Sequence, residues 1–146
     1  MSRENVEIVR RLMDRMRDRA SARIADFWDP DGDYYPVRKF PESRPCHGPD
    51  EVQRFMAEYG AAWETYEWVV KDVRPVGDDR VFLHGYIRAE GRDGLALEGD
   101  IYHCFWLRHG RFFRQEDHLT KRGALRALGL DDDYPDDALE AVGLSE

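Results

Sequence analysis

Cysteine is scarce in this 146-residue chain: Cys46 and Cys104 are its only two, and neither belongs to a CxxC pair. That usage fits a reducing compartment better than a disulfide framework. The five histidines never fall at His-x-His or His-x3-His spacing, so no metal site is expected. No glycine-rich phosphate loop, nucleophile elbow or Ser/His/Asp pattern occurs, which argues against a nucleotide cofactor and against covalent catalysis. No apolar run approaches the ~20 residues of a membrane-spanning helix, and Ser2-Arg-Glu-Asn-Val-Glu has no signal-peptide core. The expectation is a cytoplasmic protein with no cofactor and no membrane partner.

Clustered positive charge is missing as well. The net charge is −8, but 131–146 alone carries seven acidic residues and no basic one, so most of the imbalance belongs to a tail. The rest is near neutral and lacks the electrostatic footprint of a nucleic-acid binder. Arg10, Arg11, Arg15, Arg17 and Arg19 alternate with apolar and acidic residues at helical spacing, which reads as a solvated helix face. A chain of this length supports one core. We expect one domain over residues 1–130 and an acidic C-terminal tail over 131–146.

What is present is a helix-then-strand order. Val6, Val9, Leu12, Met13 and Met16 recur at three- and four-residue spacing with Glu4 in the first turn, predicting an amphipathic helix over 2–16. A second short helix is expected over 20–28, stopped by Asp29-Pro-Asp-Gly. Asp33 to Val37 reads as an edge strand leading into a proline-containing loop. Gly48-Pro-Asp-Glu opens a helix whose stripe of Val52, Phe55, Met56, Tyr59, Trp63 and Tyr66 buries a wide aromatic face. Strands follow over 67–73 and 80–90, and Thr120 caps a last helix over 121–128 that Gly129 ends. Helices segregated from a run of antiparallel strands give an α+β fold with the sheet wrapped around the helices.

The remaining stretch, Gly99 to Thr120, holds the one arrangement able to do chemistry. It predicts two strands joined by a tight turn at His109-Gly110. A strict two-residue turn pairs Tyr102 with Asp117 and points His103 away from that carboxylate. The doublet Phe112-Phe113 interrupts the alternation as a β-bulge does. With one extra residue there, Gln115, Asp117 and Leu119 face with His103 and Phe105. We adopt that bulge as the working expectation.

Taken together, Ser2-Arg-Glu-Asn-Val-Glu-Ile-Val-Arg-Arg, Asp29-Pro-Asp, Cys46-His-Gly-Pro-Asp-Glu-Val-Gln-Arg-Phe, Asp79-Arg-Val, His103-Cys-Phe-Trp-Leu-Arg-His-Gly-Arg and Ala124-Leu-Arg-Ala-Leu-Gly-Leu resemble a SnoaL-like member of the nuclear transport factor two-like superfamily. The resemblance covers residues 2 to about 130. It implies a cone-shaped α+β barrel, a curved antiparallel or mixed sheet wrapped around N-terminal helices with a pocket between them. Members that are polyketide cyclases use an aspartate on the last strand as base and a histidine on the preceding strand, where Asp117 and His103 fall; the family's usual His-Trp before the aspartate is Gln115-Glu116 here. The epoxide-hydrolase-like set lacks its carboxylate on the strand of His84-Gly-Tyr86-Ile-Arg88. A ketosteroid-isomerase-like donor is missing too, since no tyrosine precedes Tyr34. A scytalone-dehydratase-like site remains open with Tyr34, Tyr35, His84 and His103.

The resemblance therefore implies a cofactor-independent cyclase, isomerase or dehydratase with Asp117 as general base and His103 as its partner or as donor to a developing enolate. Candidate binding residues for a small apolar or aromatic molecule are Trp28, Tyr35, Tyr59, Trp63, His84, Tyr86 and Phe105. The plainer alternatives are a structural Asp–His hydrogen bond with core-packing aromatics, or a non-catalytic ligand-binding protein. Members of this superfamily commonly dimerise through the sheet face, and a homodimer of that kind is expected.

Overall fold

The computed structural model describes residues 2–17, 23–39, 43–92 and 94–130. The tail over 131–146 and most of the expected junction after the first helix lie outside them. Helix α1 (Ser2–Arg17) buries Val6, Val9, Leu12 and Met13 along one stripe, as its spacing demands. Asn5 Nδ2 donates to the Asp78 carbonyl at 2.8 Å and ties the helix to a turn of the sheet.

The second helix expected over 20–28 is corrected by the structure. Ala25–Phe27 form a single 3₁₀ turn, and Trp28 already opens β1 (Trp28–Tyr35). The Asp29-Pro30-Asp31-Gly32 cluster does not end an element; it is absorbed as an irregularity inside the strand, where the pairing register shifts between Trp28 and Asp33. Gly32 is required there because a Cβ would lie 2.6 Å from the Phe112 carbonyl and 2.7 Å from the Trp28 ring. Nor is β1 an edge strand, for the two-residue β2 (Cys46–His47) pairs along its outer side.

Helix α2 (Gly48–Ala61) starts where its sequence says, with Pro49 and two acids in the first turn and Glu51 reaching back to accept from the His47 amide at 2.9 Å. It stops earlier than the aromatic stripe suggested. Trp63 and Tyr66 belong to β3 (Trp63–Val76), where partial burial alternates residue by residue at Tyr66, Trp68 and Val70. The chain doubles back, so Tyr59 still meets Trp63 at 5.8 Å and Tyr66 at 5.9 Å between ring centres.

Strands β4 (Arg80–Gly91), β5 (Ala96–Arg108) and β6 (Arg111–His118) complete a six-stranded sheet of order β2-β1-β6-β5-β4-β3. Among the described residues only the β1–β6 pair is parallel, so the sheet is mixed; β2 and β3 stand at opposite ends of that order, so the curved sheet is not closed. The β5–β6 turn is tight, with positive φ at both His109 (54°) and Gly110 (77°), the type I′ geometry that matches strand twist. The expected bulge is there. Trp106 pairs with Arg114 and Leu107 with Phe112, leaving Phe113 as the extra residue.

Beyond the bulge, His103 pairs directly with Asp117 and Phe105 with Gln115. Helix α3 (Lys121–Ala127) is capped by Thr120 Oγ1, which accepts from the Gly123 amide at 3.1 Å. It packs on the outer face of the sheet over Phe82 and Cys104, while α1 and α2 cover the inner face. The core is thus divided by the sheet.

Candidate functional site

Between α1, α2 and the inner face of the sheet lies a cavity of about 910 Å³. Its walls are mostly apolar: Leu12, Met13, Met16 and Ile24 from the first helix and its exit, Phe55, Met56 and Tyr59 from α2, and Trp28, Tyr34, Tyr66, Trp68 and Ile101 from the sheet. Three polar side chains of β5 and β6, His103, Gln115 and Asp117, converge on one wall. Among the described lining residues no lysine or arginine occurs, and Glu67 is the only other ionisable carboxylate.

Asp117 is the centre of that wall. Its side chain is 5 % exposed, and three donors converge on it. Tyr34 Oη donates to Oδ2 at 2.5 Å, while Gln115 Nε2 donates to Oδ1 at 2.9 Å. His103 Nδ1 lies 2.6 Å from the same Oδ1, and because an ionised carboxylate can only accept, the proton of that contact sits on Nδ1. The bulge at Phe113 brings His103 and Asp117 to one face. Tyr34 arrives separately, through the parallel pairing of Tyr34 with Gln115 in the β1–β6 ladder.

The far ring nitrogen of His103, Nε2, is closed to solvent and has no hydrogen-bond partner among the described residues. Leaving such a group unpaired costs about 1–3 kcal/mol. The imidazole is packed between the Trp68 indole, edge-on with ring centres 5.8 Å apart, and the Phe105 ring, stacked at 6.2 Å. Tyr34 is held well above the ordinary phenol range, first by burial and then by the Asp117 charge beside it. Burial likewise pushes Tyr59 upward, with Tyr66 adding to it. Both tyrosines are neutral donors at any physiological pH.

The residues expected at a binding site divide into three groups. Asp117, His103, Trp28 and Tyr59 line the cavity. Trp63 and Phe105 are fully packed behind its walls, Trp63 against Tyr59 and Tyr66, Phe105 against Phe112 at 5.0 Å. Tyr35, His84 and Tyr86 lie on the other side of the sheet. There Tyr35 carries the Arg114 guanidinium over its ring at 4.6 Å, and His84 Nε2 is 2.8 Å from Asp100. Tyr86 donates to Glu98 at 2.5 Å, so these residues form a polar outer surface and have no access to the pocket. Alternation along β1 and β4 is the reason: Tyr34 points in, so Tyr35 points out.

Sequence reasoning did not pair Tyr34 with Asp117, put Gln115 on the shared face without giving it a role, and did not name Tyr66 or Trp68 as wall residues. Gln115 carried a signal, since it sits two residues from Asp117 on the same face. Tyr66 and Trp68 became visible only once the segment was a strand. The described residues contain no group of three or more His, Cys, Asp or Glu able to hold a metal. No helix among them is long and apolar enough to cross a membrane.

Comparison with known proteins places this geometry in context. Residues 9–115 match the profile of the SnoaL-like domain family. An NTF2-like protein of unknown function from Burkholderia pseudomallei K96243 superposes with a TM-score of 0.71 at 20 % identity, over 86 % of this chain and 97 % of that one. TerC, solved as a co-crystal with polyporic acid, gives a TM-score of 0.68 at 21 % identity over 86 % and 97 %. A putative SnoaL-like polyketide cyclase from Jannaschia sp. CCS1 gives 0.65 at 19 % over 90 % and 93 %. At these identities the likeness is one of fold. Comparison with curated proteins finds no match.

Proposed function

The chain belongs to the SnoaL-like domain family, and from that premise we propose that it is a cofactor-independent small-molecule enzyme of the cyclase, isomerase or dehydratase type. The observation that carries the proposal is a buried carboxylate–imidazole pair at 2.6 Å on the wall of an aromatic cavity large enough for a polycyclic molecule. Such a pair can remove a proton from carbon next to a carbonyl. The mostly apolar walls suit an apolar or aromatic carbonyl compound held against that pair. The ligand class is a small apolar or aromatic molecule, in keeping with one neighbour described as a putative SnoaL-like polyketide cyclase and another co-crystallised with polyporic acid.

The test is a panel of aromatic polyketide-like ketones screened by thermal shift, followed by product analysis with wild type, Asp117→Asn and His103→Asn. Loss of turnover in both variants, with native circular dichroism, is the expected result; undiminished turnover in both overturns the proposal. A second reading follows from the three donors that satisfy Asp117 from within the protein itself. In it the protein holds an apolar ligand without transforming it, so every bound panel member would be recovered unchanged and Asp117→Asn would retain affinity.

A further inference from the structure

We infer that the cavity discriminates by charge: it takes an uncharged aromatic carbonyl compound and rejects the carboxylate of the same ring skeleton. This rests on the ligand class proposed above and adds the charge state to it.

An anion that leaves water needs a cation or a set of donors inside the protein. The described lining residues include no lysine or arginine, and their two carboxylates are Asp117 and Glu67. His103 does not make up for this. Its ring stands 2.6 Å from Asp117, so any charge it carries is matched by a carboxylate already in contact, and the pair has no positive surplus for an incoming anion. Tyr34 and Gln115 also direct their donors to Asp117.

Backbone dipoles act in the same sense. Helix α1 borders the cavity with Leu12, Met13 and Met16 of its C-terminal half, and α2 ends on it with Tyr59, Gly60 and Ala61. Helix C-termini carry partial negative charge, and α2 has no basic residue in its last turn. Three arginines touch lining residues from outside, and each is engaged there. Arg44 lies over the Phe55 ring and pairs with Glu58 at 2.9 Å, and Arg88 faces Glu67 at 3.9 Å. Arg92 donates to the Ala61 carbonyl at 3.1 Å, which offsets part of the α2 dipole.

A carboxylate held in this cavity would lose its hydration, gain no counter-ion and face the charge of Asp117. A ketone of the same size loses far less on leaving water and keeps the same apolar contacts with the walls.

The test uses 2-acetonaphthone and 2-naphthoate, which share a ring system and differ in carrying an acetyl or a carboxylate group. Isothermal titration of the intact protein at pH 7 should show the ketone bound about tenfold or more tightly than the acid. Met16→Lys puts an ammonium on the cavity wall at a partly buried position in the last turn of α1, where a helix favours a cation. It should raise the affinity for 2-naphthoate by about tenfold and leave that for the ketone unimproved. Wild type binding the acid as tightly as the ketone overturns the inference. So does an affinity for the acid that Met16→Lys does not move, since shape and not charge would then exclude it. Both results leave the acid–base reading intact. Selective binding of the ketone by a protein that transforms no member of the polyketide-like panel upholds the inference while that reading fails. Failure to bind either probe overturns the inference together with the ligand class on which it rests.

Discussion

Replacing Tyr34 by phenylalanine removes one oxygen from a closed site and should change stability differently at neutral and at alkaline pH. The ring still fills its place against Trp28 and Phe55, with ring centres 6.3 and 5.7 Å away, so the loss is confined to the hydroxyl. That hydroxyl donates to a buried carboxylate at 2.5 Å, a bond to a charged group worth about 1.5–3 kcal/mol. Near pH 7 the variant should therefore be about 2 kcal/mol less stable, lowering the Tm by about 6 °C for a chain of this size.

Raising the pH should narrow that gap. Burial and the Asp117 charge keep the folded Tyr34 protonated well above the value of about 10 it has when unfolded. A group raised in the folded state contributes stability that is complete below its unfolded pKa and is lost as pH climbs toward the folded one. The loss approaches about 1.4 kcal/mol per pH unit, which integrates to about 1.4 kcal/mol between pH 9 and 11. Wild type carries this loss and the phenylalanine variant does not. Tyr59, Cys104 and Cys46, whose thiol burial pushes up to about 11, contribute alkaline losses common to both proteins, and these cancel in the difference. Urea denaturation of both proteins at pH 7, 9 and 11 measures it. A difference that stays constant across that range would refute the argument that Tyr34 is held neutral beside Asp117.

Other perturbations probe the scaffold. Deleting Phe113 removes the bulge residue and turns Gln115 and Asp117 to the outer face; we expect a loss above about 3 kcal/mol in chemical denaturation, and wild-type stability would show that this residue does not set the register. Gln53→Ala takes away the acceptor shared by the Ile24 and Ala25 amides at 2.8 and 3.0 Å, at a cost of about 2 kcal/mol, read as a Tm lowered by about 6 °C. Thr120→Ala should cost about 1 kcal/mol, or about 3 °C in Tm, through the lost cap of α3, and Thr120→Ser should restore it.

Much of the molecule was legible in one dimension, and the reason is periodicity. The stripes of α1 and α2, the helix start at Gly48-Pro49, the cap at Thr120 and the His109-Gly110 turn are short-range properties that hold whatever surrounds them. So is the phenylalanine doublet at 112–113. It breaks a two-residue alternation, and that alone placed His103 opposite Asp117.

Competing local signals account for the element errors. Trp63 and Tyr66 continue the spacing of α2 as well as they begin the alternation of β3, and only pairing with β4 settles which pattern prevails. Asp29-Pro-Asp-Gly reads as a breaker, yet the ladder with β6 carries the strand across it.

Read along the chain, the order of helices and strands gave away the α+β class, while the tight β5–β6 hairpin and the face shared by imidazole and carboxylate depend only on neighbours within about twenty residues. Tertiary structure alone decided that Tyr34 and not Tyr35 reaches Asp117, since their separation of 83 residues is bridged only by the parallel β1–β6 ladder. It also decided which aromatics became walls and which became packing. Curvature of the sheet over two helices opens a cavity whose lining draws on five separate segments, and no local pattern specifies that convergence.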